Sequence, residues 1–295
     1  MDVMANSNPS WIDLIPEGDF ITAEPSYEVG KYFDRFKSDE AAGMKYYFFD
    51  PSEHGYPKEK NYPLLIFLHG ATNALVGETC INYTGAEYYA SDKYQEDLGG
   101  AYILIPIANE YKLEDGRCAG FWDETYVDPV MKLISAFIDK HTEGVGVKFL
   151  LGNSAGARFT FTLATSFPDK FDVLVPVGTD AIPDDDVMDE LEKNGVTLFF
   201  ADGLKDEIVS HEKIEARRPR MERMKNSFIY TPEWVRNADK GIASINFGFE
   251  MGQHCLMNGV QSNLMFLDGT PMDPRLPNGV TGWMAEELKR RESNR

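Results

Sequence analysis

From position 63 onward, short and nearly continuous apolar runs recur along the chain: Pro63–Leu68, Ala101–Ile107, Val147–Leu151, Asp172–Val177, Val196–Phe200 and Ala243–Phe249. Runs without polar alternation predict strands covered on both faces, as in a parallel sheet. The intervals between them are long enough for helices. Asp128–His141 carries Val130, Leu133, Ile134, Phe137 and Ile138 at helical spacing. Ala155–Phe167 is a second such segment, ended by Pro168. Asp184–Lys193 is a third, with Asp184 placed as N-cap before Val187, Met188 and Leu191. Ahead of the runs, the aromatic-rich stretches Tyr27–Phe36 and Met44–Phe49 predict the arms of an antiparallel hairpin joined through Ser38–Gly43.

Strands alternating with helices predict the α/β class, with a mostly parallel sheet and helices on both faces. No repeat, low-complexity tract or linker divides the chain, so residues 1–295 are expected to form one domain. The stretch from about 211 to 242 is longer than one connecting helix needs, and a small cap is expected there.

Composition narrows the function. A core-sized apolar fraction of 43% comes with 48 acidic against 29 basic residues, a net charge of −19. That balance speaks against a nucleic-acid partner, which requires clustered Lys and Arg. No apolar run approaches bilayer length, so no membrane partner is expected. Residues 1–20 show neither a positive start nor an apolar run of seven, which predicts a cytoplasmic protein, or a secreted one if a leader was removed. Three cysteines, Cys80, Cys118 and Cys255, form no CxxC pair and no zinc motif; whether Cys80 and Cys118 are bridged stays open. The acidic run Asp184–Asp186 reads as helix-dipole pairing, so no metal is expected. Gly144 and Gly146 do not complete a dinucleotide fingerprint, because Phe149 stands where the third glycine belongs; no cofactor is expected.

The most informative segment is Lys148-Phe-Leu-Leu-Gly-Asn-Ser-Ala-Gly156. A buried strand runs straight into Gly152-x-Ser154-x-Gly156, and an apolar-periodic helix follows, the context of a nucleophile elbow. A serine hydroxyl there needs a base to take its proton. Of five histidines, His54 and His141 fall at expected surface positions, His69 reads as a buried support, and His211 lies too close to the acid candidates. His254 follows the last apolar run and is the favoured base. Asp202 and Asp206 compete as the acid, with Glu207 third; Asp206 is favoured because Gly203 permits a tight turn before it. Oxyanion donors are expected from the main chain of Ala155, just after the serine, and of Ala71, in the loop ending the first buried run.

Tyr62-Pro-Leu-Leu-Ile-Phe-Leu-His-Gly70, Gly152-Asn-Ser-Ala-Gly156, Phe167-Pro-Asp-Lys-Phe171, Asp202-Gly-Leu-Lys-Asp206-Glu-Ile-Val209 and His254 together resemble the α/β-hydrolase superfamily. Within it the pattern is similar to carbohydrate esterase family 1, the feruloyl and acetyl esterases, and to polyhydroxybutyrate depolymerase-like esterases. The resemblance implies a metal-free serine esterase acting through an acyl-serine intermediate, with Ser154, His254 and Asp206 as nucleophile, base and acid. A small-molecule or oligosaccharide ester is the implied partner. The sequence departs from these families at Asn153, Ala157 and Cys255-Leu256, which points away from polymer hydrolysis. Trp122 and Trp234 are candidate walls of the acyl pocket. The basic residues between Lys213 and Lys225 could receive an anionic substrate group, although a solvated helix face explains them more simply. Other readings are a prolyl-oligopeptidase-like peptidase, whose propeller is missing here, and a non-catalytic binding module on a hydrolase scaffold.

Overall fold

The computed structural model describes residues 11–23, 27–58, 60–244 and 252–293. Its main sheet is built from β1 (Lys37–Ala41), β2 (Met44–Phe49), β3 (Tyr62–Leu68), β4 (Tyr102–Pro106), β5 (Val145–Asn153), β6 (Val173–Val177), β7 (Thr197–Ala201) and β8 (Phe228–Tyr230). Across the sheet the strands run β8-β7-β6-β5-β3-β4-β2-β1. The pairings from β4 to β8 are parallel, whereas β1–β2 and β2–β4 are antiparallel.

Each central strand buries both of its faces, which is why its sequence does not alternate. Leu64, Ile66 and Leu68 of β3 point into one apolar layer, and Leu65 and Phe67 into the other. Four helices cover the first layer: Val127–His141, Ala155–Ser166, Asp185–Lys193 and His211–Arg223. The second is covered by Asp92–Leu98, Leu256–Gln261 and Gly279–Glu292. Asp184 caps its helix as expected, accepting from the Val187 N–H at 3.2 Å.

The arms of the expected hairpin need correction. The hairpin is formed by β1 and β2, with residues 27–36 lying before it and containing only a short 3-10 turn, Phe33–Arg35. β1 is a polar edge strand, Lys37-Ser-Asp-Glu-Ala41, and carries no apolar signal. Phe33 and Phe36 instead pack onto the core from outside the sheet. The turn is Ala42-Gly43, both at positive φ (52° and 74°), the conformation that suits a tight hairpin.

The strand expected over Ala243–Phe249 is described only at its start. Ile242–Ala243 pairs in parallel with Ile21–Thr22, outside the main sheet, and residues 245–251 lie outside the described residues. The eighth strand is β8, whose three residues are too few to show a pattern.

The stretch 211–242, expected as a cap, supplies a sheet-flanking helix and β8. Ile214 and Met221 of that helix are buried in the layer beside the sheet.

Candidate active site

β5 ends at Asn153, and the helix Ala155–Ser166 begins two residues later, so Ser154 occupies the turn between them. Its backbone is at φ 53°, ψ −112°, a conformation that costs a non-glycine residue on the order of 1–3 kcal/mol. The flanking glycines are required by distance. A Cβ on Gly152 would lie 2.3 Å from the Gly156 carbonyl oxygen, and one on Gly156 would lie 2.1 Å from that of Leu68. The Ser154 N–H donates to Val177 O at 2.9 Å, tying the turn to β6.

His254 Nε2 lies 2.9 Å from Ser154 Oγ, and His254 Nδ1 lies 2.6 Å from Asp206 Oδ2. With Nδ1–H donating to the carboxylate, Nε2 is free to accept from the serine hydroxyl. The other oxygen of Asp206 accepts from the N–H groups of Ile208 (2.7 Å) and Val209 (3.0 Å). The side chains of His254 and Asp206 are only 7% and 2% exposed, so their pairing is shielded from water. Between the two competing aspartates, the structure brings Asp206 to the histidine; Asp202 sits behind it, fully buried.

Glu207 does not join the line from serine to acid, but it holds the loop that carries the histidine. It accepts from the main-chain N–H of His254 (3.0 Å) and of Gln253 (3.3 Å), and from Trp11 Nε1 at 2.6 Å. Burial raises the Glu207 carboxyl above its ordinary range, against the effect of these donors. Gln253 in turn bridges Val235 and Ala243 through its side-chain amide. Glu207 carries a sequence signal only as a candidate acid, and Trp11 and Gln253 carry none, because contacts this distant leave no local pattern.

The loop after β3 lies against the elbow. A Cβ on Gly70 would come within 3.1 Å of Asn153 Nδ2 and 3.6 Å of Ser154 Cβ. Ala71 follows Gly70 in this loop, and among the described residues neither the Ala71 nor the Ala155 N–H has a hydrogen-bond acceptor. His69 supports the loop from below. Its Nδ1–H donates to Gly70 O (3.0 Å), and its Nε2 accepts from the Ala108 N–H (3.1 Å). Burial pushes its pKa down to about 4, which keeps the ring neutral.

Trp122 and Trp234, expected as walls of an acyl pocket, are both buried. Trp122 is sandwiched between His69 (centroids 4.7 Å apart) and Phe159 (5.2 Å), and its Nε1–H donates to His69 O at 2.9 Å. Trp234 packs edge-on against Trp11 at 5.9 Å, beneath the Lys205 ammonium. Most of the basic stretch is engaged in ion pairs: Lys213 with Asp180, Arg217 and Arg223 with Asp185, Arg218 with Glu215, and buried Arg220 with Asp189 and Glu192. Cys80, Cys118 and Cys255 are all unbridged. Among the described residues no cluster of three His, Cys, Asp or Glu could hold a metal, and no helix is long and apolar enough to cross a membrane.

No protein-family model matches the chain, and no curated protein matches it. Solved structures do. A thermostable esterase superposes with a TM-score of 0.57 at 19% identity, over 79% of this chain and 61% of that one. The chain thus spans less than two thirds of that esterase's length. Est1E from Butyrivibrio proteoclasticus gives a TM-score of 0.47 at 14% identity, covering 88% and 98% of the two chains. A putative alpha/beta hydrolase from Agrobacterium tumefaciens gives 0.49 at 15%, covering 88% and 97%. Strand order, two-sided helical cover, the turn at Ser154 and the thermostable-esterase superposition agree: this chain has the α/β-hydrolase fold.

Proposed function

We propose that the protein is a serine hydrolase of carboxylic esters, with Ser154 as nucleophile, His254 as general base and Asp206 as the acid that orients it. The observation that carries this reading is the continuous contact from Ser154 Oγ through the imidazole to Asp206, at 2.9 and 2.6 Å, on a strained strand-to-helix turn. His254 Nε2 takes the hydroxyl proton as Oγ attacks the ester carbonyl carbon. The carbonyl oxygen becomes an oxyanion and is received by the unpaired N–H groups of Ala155 and Ala71. Each such donor is worth roughly 3 kcal/mol to the transition state. The imidazolium then protonates the departing alkoxide. Water, deprotonated by the same nitrogen, hydrolyses the acyl-serine and frees the carboxylic acid.

The substrate in this reading is a small-molecule or oligosaccharide ester, with a feruloyl, acetyl or similar acyl group on a carbohydrate or phenolic alcohol. The resemblance of the sequence to carbohydrate esterase family 1 supports that class. The test is treatment with a fluorophosphonate followed by intact-mass measurement, alongside Ser154→Ala and His254→Ala. One adduct on the wild type, lost in both variants, is the expected result. An unmodified wild type would overturn the reading in favour of a binding module on the hydrolase scaffold.

A further inference from the structure

Asp202 follows β7 directly and lies four positions before Asp206. Its N–H donates to Tyr230 O of β8 at 3.0 Å, which holds it at the sheet. The residue has no exposed surface, and both carboxyl oxygens are enclosed without a hydrogen-bond donor among the described residues. An ionised carboxylate in that position would be a buried charge with nothing to compensate it.

The surrounding charges make ionisation harder. After burial, the negative charge of Asp206 and then that of Asp180 disfavour the ionised form of Asp202. Asp180 itself is paired with Lys213 and accepts from the Ser210 N–H. Asp206 is engaged by His254 Nδ1 and by the N–H groups of Ile208 and Val209, and Glu207 is the next acid beyond it. Burial first, and then the Asp206 carboxylate, push the Asp202 carboxyl up to about 9.

We propose that Asp202 is a positioning residue: it stays a neutral carboxylic acid in the working protein and donates its O–H to the carboxylate of Asp206. The triad acid is then held from behind by a second acid. The proposal deepens the hydrolase reading and rests on its assignment of Asp206. The donated hydrogen bond stabilises the ionised form of Asp206, so that it remains an acceptor for His254 Nδ1–H and keeps Nε2 facing the serine. A neutral acid does this only while it holds its proton. When Asp202 ionises, the donor is lost and two carboxylates face each other in a buried site.

Difference infrared spectra of the full chain and of Asp202→Asn read the protonation state directly. A protonated-carboxyl C=O band at neutral pH, absent from the variant and titrating away near pH 9, is the expected result. Fluorophosphonate labelling rates between pH 6 and 10 read the positioning. Asp202→Ala should label on the order of 10-fold more slowly at pH 7, as expected for a lost hydrogen bond to a charged group. Asp202→Asn keeps an N–H donor and should recover most of that loss, without the decline in rate above pH 9 expected of the wild type. The proposal is overturned by the absence of the band, or by rates and pH profiles that are identical in all three proteins. A band in a protein whose Ser154 does not label would support the carboxyl pair and overturn the hydrolase reading alone.

Discussion

The main-chain N–H of His254 donates to Glu207, the residue immediately after the acid that its own ring engages. The loop bearing the histidine is therefore attached to the loop bearing Asp206 through the imidazole and also through the backbone. The second attachment fixes where the ring starts from, which a single hydrogen bond to the ring would leave free to pivot.

Glu207→Ala removes the acceptor for the N–H groups of Gln253 and His254 and for Trp11 Nε1. Hydrogen bonds to a charged group contribute about 1.5–3 kcal/mol each, so kcat should fall at least 10-fold while KM changes little. Steady-state kinetics on a p-nitrophenyl ester separates the two parameters. A raised KM at unchanged kcat would show that Glu207 serves binding instead.

Gly156→Ala drives a methyl group to within 2.1 Å of the Leu68 carbonyl oxygen and 2.6 Å of that of His69. Both obstacles are main chain of a central strand and its exit loop, which cannot yield locally. Overpacking of this kind costs roughly 1–3 kcal/mol or more. A melting curve should show clear destabilisation, and wild-type thermal stability would mean the elbow is less tightly packed than described.

Stability should depend on pH through Asp202. Its folded-state pKa is pushed up to about 9 from 3.8, so between those values the folded chain holds a proton that the unfolded chain releases. The contribution is complete below the ordinary carboxyl range and is lost as pH rises toward 9. The wild-type melting temperature should therefore decline from pH 5 to pH 9, and Asp202→Asn should show a shallower slope. Parallel slopes in differential scanning calorimetry would contradict this.

His69 should stay silent in that range. Burial holds its pKa near 4, so its ring proton resonances should not titrate between pH 5.5 and 8. His69→Ala removes the acceptor for the Ala108 N–H and the ring that stacks on Trp122. A cost of about 2–4 kcal/mol in chemical denaturation is expected from a lost buried partner plus a cavity.

What could be read from the sequence followed from how local each signal was. The doubly buried strands announced themselves because Leu64–Leu68 and Phe149–Leu151 meet apolar layers on both sides. The strand-to-helix turn at Ser154 was legible because its glycines fall within five consecutive residues, and the contact of Asp206 with His254 was favoured because Gly203 permits a turn before the aspartate. β1 escaped because an edge strand facing water needs no apolar residues, and its aromatic neighbours Phe33 and Phe36 proved to be loop anchors. Trp122 carried the right composition for a pocket wall, yet its partners His69 and Phe159 come from two other segments. The support given by Glu207 depends on Trp11, Gln253 and His254, which lie far from it in sequence, and has no sequence signature at all.

The bond between Trp11 and Glu207 spans 196 positions, and that between Ser154 and His254 spans 100. Contacts between residues so far apart form late, because long loops must close before the contacts can be made. Refolding should therefore proceed in a fixed order, with the sheet and its helices recovering their circular dichroism before the serine becomes reactive. During synthesis the same order means that a chain emerging from the ribosome can build β1 to β5 and the elbow well before His254 exists. The strained turn at Ser154 is then carried without its histidine partner, and Ser154 can meet His254 only once residue 254 has been made.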